Sequence, residues 1–325
     1  MKKRRLSVRA LCLLLALLML TAMLAACGAP SKPKIEENKG ENAATYPFVV
    51  HTKSATWYLA ADDIALLGED AFYEGLYALL ENQEQDFADA REALKGHIDA
   101  DVPPVEIRTD FSGRAEAAET MGAFYHEQRN FIKLFRGWDV ASFALLHEYV
   151  HYLTMHCTPR PATRGLYAEG VANYVSMIAC KNRMARSVNC AVPEEDLAFF
   201  KSKGAWDESE NCLDPQKFYF GNAANFSLGG MIGYEYFSVN DIYETYTQEA
   251  HQNPDVWNVS HFEAASLMAW LAETYGRDTV LQNLGTAPED FEAVYGLPFT
   301  EAYQKWTAWN LEKCAELGLN FDDVG

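Results

Sequence analysis

His147-Glu148-Tyr149-Val150-His151 is the stretch of this chain whose residue types and spacing could do chemistry. Side chains four apart on an α-helix stand one above the other on a single face. Both imidazoles can therefore reach one metal ion, and imidazole nitrogen is a preferred ligand of Zn2+. Glu148, next to the first histidine, then lies beside an open coordination position, where a carboxylate acts as general base toward water. The same spacing suits an amphipathic helix whose histidines only pack or hydrogen-bond. Both readings need a helix, which the apolar run from Val140 to Leu153 predicts, with Asp139 as its N-cap.

A catalytic zinc site takes three protein ligands and keeps a fourth position open. Glu169 follows His151 by eighteen residues, in Tyr167-Ala168-Glu169-Gly170-Val171-Ala172-Asn173-Tyr174, where helical pattern resumes after Thr158-Pro159-Arg160-Pro161. A helix returning across the first would bring this carboxylate to the same ion. A glutamate in a first helical turn also simply favours the helix dipole.

H-E-x-x-H followed one helix later by E-G-x-A resembles the gluzincins, the thermolysin and aminopeptidase branch of the zinc peptidases. The resemblance implies that His147, His151 and Glu169 bind Zn2+, that Glu148 activates the attacking water, and that the substrate is a peptide or protein. The interval to Glu169 is slightly shorter than in well-known members, a difference that a tighter connection between the helices absorbs. Those members carry a carboxylate four residues after the ligand glutamate, set against the first histidine. Here that position is Asn173, whose amide oxygen can accept an imidazole N–H but brings no charge. The metzincin branch instead requires a glycine and a third histidine after the motif. Thr154 stands at the glycine position and His156 is one residue off the other, so His156 reads as a helix-end residue.

Downstream, Ser260-His261-Phe262-Glu263 opens a small-residue and apolar stretch ending in Tyr275-Gly276. Gluzincin relatives often carry a tyrosine where His261 stands. Ser260-x-x-Glu263 has the form of a capping box, which puts His261 in a first helical turn. There it would donate to the oxyanion formed when water attacks a carbonyl. Tyr234, Tyr236, Tyr243 and Tyr246 compete for that role. Relatives also pair an edge strand with the extended substrate; Gly122-Ala123-Phe124 and Asn130-Phe131-Ile132 are the two candidates. Met121-Gly122-Ala123-Phe124 is only a faint echo of an exopeptidase signature.

The elements that must position these residues follow in order. Tyr46–Thr52 is β-branched and aromatic, a first strand. Helical spacing runs from about Ala60 to Ala100, through Leu66, Phe72, Leu76, Leu79, Leu80, Phe87 and Leu94. Val105–Thr109 alternates as a strand, and Gly122–His126 with Asn130–Phe135 predicts a hairpin. The expected fold class is α+β: a small mixed sheet with an edge-strand hairpin, then the zinc-binding helix pair, then a mainly helical lobe. Residues 46–157 form the first lobe in this reading and 158–325 the second. Helices are expected over Ser260–Tyr275 and from Thr300 to about Leu317.

The N-terminus sets location. Lys2, Lys3, Arg4, Arg5 and Arg9 precede an apolar run from Leu11 to Leu24, and Leu24-Ala25-Ala26-Cys27 resembles the bacterial lipobox. Residues 1–26 are then a lipoprotein signal peptide and Cys27 the lipid anchor, which tethers the chain at the extracytoplasmic face of the cell membrane without spanning it. Residues 27–45 are polar and Pro/Gly-rich and read as a flexible tether, with 46–325 as the metallopeptidase domain. Removing 1–26 takes five cations and no acid, so the formal charge goes from -19 to -24. That surface argues against nucleic acid as a partner. Of the cysteines left, Cys190 and Cys212 flank a polar loop and make the favoured disulfide pair, and an odd count leaves a free thiol. The leading expectation is a lipid-anchored zinc metallopeptidase. The alternative is a non-catalytic lipoprotein that uses the same scaffold to bind a peptide or other ligand, although binding alone has no need of Glu148.

Overall fold

In strand β4 (Val105–Thr109), Val105, Ile107 and Thr109 are buried while Glu106 and Arg108 are half-buried. This period-two pattern gives the sheet one face toward a core and one toward Arg108 and its neighbours. The computed structural model describes residues 33–112, 122–135, 137–162, 166–179, 254–285 and 290–319, with 201, 206–207, 212–213 and 217. For 139–143, 166, 177–179, 206–207, 212–213 and 254–263 it describes the backbone alone.

Six strands form one mixed sheet: β1 (Ile35–Glu37), β2 (Phe48–His51), β3 (Ala55–Leu59), β4, β5 (Ala123–His126) and β6 (Phe131–Leu134), in the order β1-β2-β3-β4-β6-β5. β3–β4 and β4–β6 are parallel and the other pairs antiparallel. A parallel step needs a crossover. Between β3 and β4 it is made by helix α1 (Ala61–Leu67) and the long helix α2 (Glu69–Ala93). The helix carrying the histidines, α3 (Trp138–His151), follows β6 directly. Trp57, Ile107, Ile132 and Leu134 of the sheet share one core with Phe72, Leu76 and Phe87 of α2 and Leu145, Leu146, Tyr149 and Val150 of α3.

The remaining helices are α4 (Leu166–Asn173), α5 (Pro254–Tyr275), α6 (Arg277–Gln282), α7 (Phe291–Tyr295) and α8 (Phe299–Glu316). Two short strands, β7 (Trp206–Asp207) and β8 (Cys212–Leu213), pair antiparallel. The chain is thus α+β. No helix among the described residues is long and apolar enough to cross a membrane.

Three expectations need correction, and one strand has no counterpart in the sequence reading. The tether was expected to reach residue 45, but Ile35–Glu37 is strand β1, with Ile35 opposite Val50 and Glu37 opposite Phe48. The turn that follows is held by Asn38, whose amide donates to Asn42 Oδ1 at 2.9 Å and to the Tyr46 carbonyl at 2.7 Å. An edge strand stabilised through its main chain needs little apolar sequence, so composition alone misses it. Strand β3 went unrecognised because Trp57, Leu59 and half-buried Tyr58 put large apolar groups on both of its faces. Helix α3 begins after Gly137, at φ 80°, rather than at an Asp139 cap. Helix α5 begins at Pro254, so Ser260 lies inside it and the capping-box placement of His261 in a first turn fails.

Candidate metal centre

Helix α3 is fixed from the side away from the histidines. At its start Trp138 meets Phe72 and Phe111 edge-on, with ring centroids 5.1 and 4.9 Å apart. Helix α2 passes so close there that a Cβ on Gly75 would fall 2.2 Å from the Trp138 ring. Three turns on, the Tyr149 ring stacks on Phe87 at 3.6 Å, and its hydroxyl accepts from Arg91 at 2.7 Å. Arg91 also donates to Ser54 Oγ, and Ser54 gives both its N–H and its hydroxyl to Glu84. The Glu84 carboxyl stays below its ordinary range: burial opposes this, but hydrogen bonds from Thr52 and Ser54 and the Arg91 charge outweigh it. With Leu146, Tyr149 and Val150 buried on the core side, helical geometry turns His147 and His151 toward α4.

Helix α4 supplies the third group. Glu169 Oε2 lies 3.1 Å from His147 Nε2 and 3.3 Å from His151 Nε2, and the two Nε2 atoms are 3.0 Å apart. Gly170 explains how α4 is placed. A Cβ there would meet Met268 Cγ at 2.8 Å and the Ala264 carbonyl at 3.0 Å, so glycine lets α4 and α5 cross in near contact. The E-G pair thus joins a ligand to the residue that allows its helix to approach.

Asn173, one turn after Glu169, orients the first histidine. Its Nδ2 donates to the Glu169 carbonyl at 3.0 Å, which turns Oδ1 toward His147 Nδ1, 3.2 Å away. The Nδ1–H of His147 donates to that oxygen, leaving the Nε2 lone pair facing Glu169 and His151. His151 Nδ1 is buried and has no hydrogen-bond partner among the described residues.

The donor set calls for a cation. Two imidazole nitrogens and a carboxylate oxygen converge in a buried place, and two facing nitrogens share at most one proton between them. Burial alone would press the His151 pKa down, but the Glu169 carboxylate, aided by Glu148, raises it to about 9. The Glu169 carboxylate thus favours a positive charge beside it, whether a proton on His151 or a metal ion. Ligands ~2.0–2.1 Å from a tetrahedral ion stand roughly 3.3 Å apart, close to these separations. Among the described residues, His147, His151 and Glu169 are the one such group, and it can hold a metal ion.

Glu148 points toward the sheet instead. Its Oε2 accepts the backbone N–H of Tyr125 in β5 at 2.7 Å. Sequence gives no sign of this contact, because a main-chain donor has no residue signature. His156 stays out of the metal group; it stacks on Tyr152, and its Nε2 lies 3.1 Å from Asn130 Nδ2.

A second feature escapes sequence reading. Both site helices change from α to the wider π form just past their site residues: α3 over Tyr152–His156, after His151, and α4 over Tyr174–Ala179, after Asn173. π turns occur often at functional sites. In each, a buried hydroxyl bonds the carbonyl four residues back: Thr154 to Val150 at 2.8 Å and Ser176 to Ala172 at 2.7 Å. The hydroxyls alone do not mark these turns in the sequence, since Thr307 makes the same bond to the Tyr303 carbonyl inside the regular helix α8.

His261 lies in α5, where the backbone alone is described, so its proposed oxyanion contact falls outside the described side chains. Tyr234, Tyr236, Tyr243, Tyr246, Cys27 and Cys190 lie outside the described residues. Cys157 and Cys314 are buried, and Cys157 is a free thiol. Comparison with protein-family models, with curated proteins and with solved structures finds no match for the chain.

Proposed function

We propose that the protein is a zinc-dependent metallopeptidase of gluzincin type, tethered through Cys27 at the extracytoplasmic face of the membrane. The observation that carries this reading is the convergence of His147 Nε2, His151 Nε2 and Glu169 Oε2 within 3.3 Å, with Glu148 next to the first ligand. A two-histidine, one-carboxylate donor set is typical of catalytic zinc with one open position. Zn2+ supplies Lewis acidity toward water and toward the substrate carbonyl. Glu148 takes the proton of the water whose hydroxyl joins the carbonyl carbon. As the C–N bond breaks, Glu148 returns that proton to the departing amine. His261 is retained as the candidate donor to the oxyanion.

The substrate reading draws support from β5. It is paired with β6 alone and so is an edge of the sheet. In an antiparallel pair the N–H and C=O of one residue point to the same side. The Tyr125 N–H faces Glu148, so the carbonyls of Tyr125 and Ala123 also face away from β6. They are suited to an extended peptide added as a further strand.

The test is Glu148→Gln in the zinc-loaded protein, assayed on a diverse peptide mixture by mass spectrometry. The expected outcome is an unchanged zinc content with hydrolysis lost by at least ~1000-fold. Zinc-loaded wild type that cleaves nothing in the mixture favours the non-catalytic binding reading and defeats the peptidase one.

A further inference from the structure

Glu148 is oriented by a donor that belongs to a sheet edge. The Tyr125 N–H points away from β6, and its acceptor among the described residues is Glu148 Oε2 at 2.7 Å. A backbone donor is fixed only if its strand is fixed, and β5 has four residues and one neighbouring strand. The buried side chains of Ala123 and Tyr125 hold β5 to the core, with the Tyr125 ring edge-on to Tyr152, and a polar connection at its turn fixes it further against the end of α3.

Asn130 makes that connection. It closes the turn between β5 and β6 with φ 54°, the one positive φ at a non-glycine residue among the described residues. Its N–H returns to the His126 carbonyl at 2.7 Å. Its Oδ1 accepts the Tyr125 hydroxyl at 2.8 Å, and its Nδ2 donates to His156 Nε2 at 3.1 Å. Burial pushes the Tyr125 phenol pKa up, which keeps the proton that it donates. His156 ends the π turn that continues α3, and its ring stacks on Tyr152, whose hydroxyl is held by the Pro103 carbonyl at 2.8 Å. The amide of Asn130 thus ties the strand that orients Glu148 to the helix that carries Glu148.

We propose that Asn130 is a positioning residue, which seats the Tyr125 N–H on the Glu148 carboxylate by clamping the β5–β6 turn to the end of α3. The catalytic consequence rests on the peptidase reading; the clamp itself does not. Tyr125 to Glu148, Tyr125 to Asn130 and Asn130 to His156 form a closed circuit across strand, turn and helix. Opening it at the turn frees the strand without touching a metal ligand.

The experiment compares wild type, Asn130→Gly and His156→Phe, all zinc-loaded. Glycine accepts the positive φ and keeps the turn, while phenylalanine keeps an aromatic ring against Tyr152. Amide hydrogen exchange of Tyr125 is followed by NMR beside the amides of α3. Both variants are expected to exchange Tyr125 at least tenfold faster, with α3 rates and bound zinc unchanged. On a cleaved peptide, kcat is expected to fall about tenfold with KM within twofold. An unchanged Tyr125 exchange rate overturns the proposal, as does faster exchange with an unchanged kcat. If wild type cleaves no peptide, the peptidase reading fails by itself, and the exchange rates still decide whether Asn130 seats Tyr125 on Glu148.

Discussion

Asn173 Oδ1 sits 3.2 Å from His147 Nδ1, and the amide that carries it is turned by its own hydrogen bond to the Glu169 carbonyl. One neutral side chain thus orients an imidazole of the candidate metal group while spanning a turn of the helix that brings its carboxylate. Outer partners of this kind affect metal affinity by about 10–100-fold. Asn173→Ala is therefore expected to weaken zinc binding by roughly tenfold or more, measured by competition with a chromophoric chelator. Asn173→Asp adds a charge behind His147 and makes the ring a stronger donor, so it is expected to bind zinc more tightly than wild type. Equal affinities for all three proteins remove Asn173 from the site.

Glu169 contacts both histidines, and in the proposed zinc site its loss removes a ligand rather than a support. Glu169→Ala is expected to emerge from purification nearly zinc-free, and to lose affinity by far more than Asn173→Ala. Zinc content by plasma emission spectroscopy measures this directly. A stoichiometric zinc in Glu169→Ala would mean that the ion sits elsewhere.

Gly170 faces α5 with no room for a methyl group, since a Cβ would stand 2.8 Å from Met268 Cγ and 3.0 Å from a backbone carbonyl. Flexible Met268 can yield, but the Ala264 carbonyl cannot. Overpacking of this kind costs ~1–3 kcal/mol. Gly170→Ala is expected to lower Tm by several degrees and zinc affinity with it, because Glu169 moves with its helix. Adding Met268→Ala should restore part of both; thermal scans with and without zinc separate the two effects.

His97 gives the fold an acid sensitivity distinct from the site. It is buried, with neither ring nitrogen hydrogen-bonded among the described residues. Burial, and then the Arg160 charge, lower its pKa to about 4. Unfolded, it takes a proton near the ordinary histidine value of ~6.5. Between those values the unfolded chain binds more protons, so stability falls as pH drops from 6.5 toward 4 and is unaffected by His97 above that window. The slope from this residue is at most about 1.4 kcal/mol per pH unit. Urea melts of wild type and His97→Phe at pH 7 and pH 5 should show a smaller loss for the variant. Equal losses would mean that His97 does not contribute.

What the sequence makes legible is whatever depends on residue type at a fixed spacing. Strand β4 is readable because apolar residues recur at every second position, and the β5–β6 hairpin because two apolar and aromatic runs flank a polar connection. The candidate metal group of His147, His151 and Glu169 is readable because H-E-x-x-H and E-G-x-A put chemically distinctive groups at helical intervals. Strand β1 is not, since its place rests on main-chain pairing with β2 and on Asn38. The contact that orients Glu148 is hidden for the same reason, as its donor is the Tyr125 backbone. Which hairpin strand forms the edge depends on β6 joining β4 in parallel, a long-range choice that no local pattern encodes.

The π turns offer the sharpest link between a side chain and ligand placement. In a π turn the backbone N–H reaches to the fifth preceding carbonyl rather than the fourth, and a side-chain hydroxyl in the turn can add a further bond to a carbonyl of the helix before it. Thr154, fully buried, supplies one to Val150, the residue just before His151. Thr154→Val keeps the shape and removes the hydroxyl with its buried hydrogen bond, at a cost of ~0.5–1.5 kcal/mol. Without that bond nothing on the side chain holds residue 154 to the turn that precedes His151, and a shift of the backbone there reaches His151 itself. Thr154→Val is therefore expected to lose both stability and zinc affinity, while Thr154→Ser, which keeps the hydroxyl, retains most of the affinity. Zinc titrations of the two variants at matched folded fraction make the comparison. Equal zinc affinity in Thr154→Val and Thr154→Ser would show that the hydroxyl serves the fold alone and leaves the position of His151 untouched.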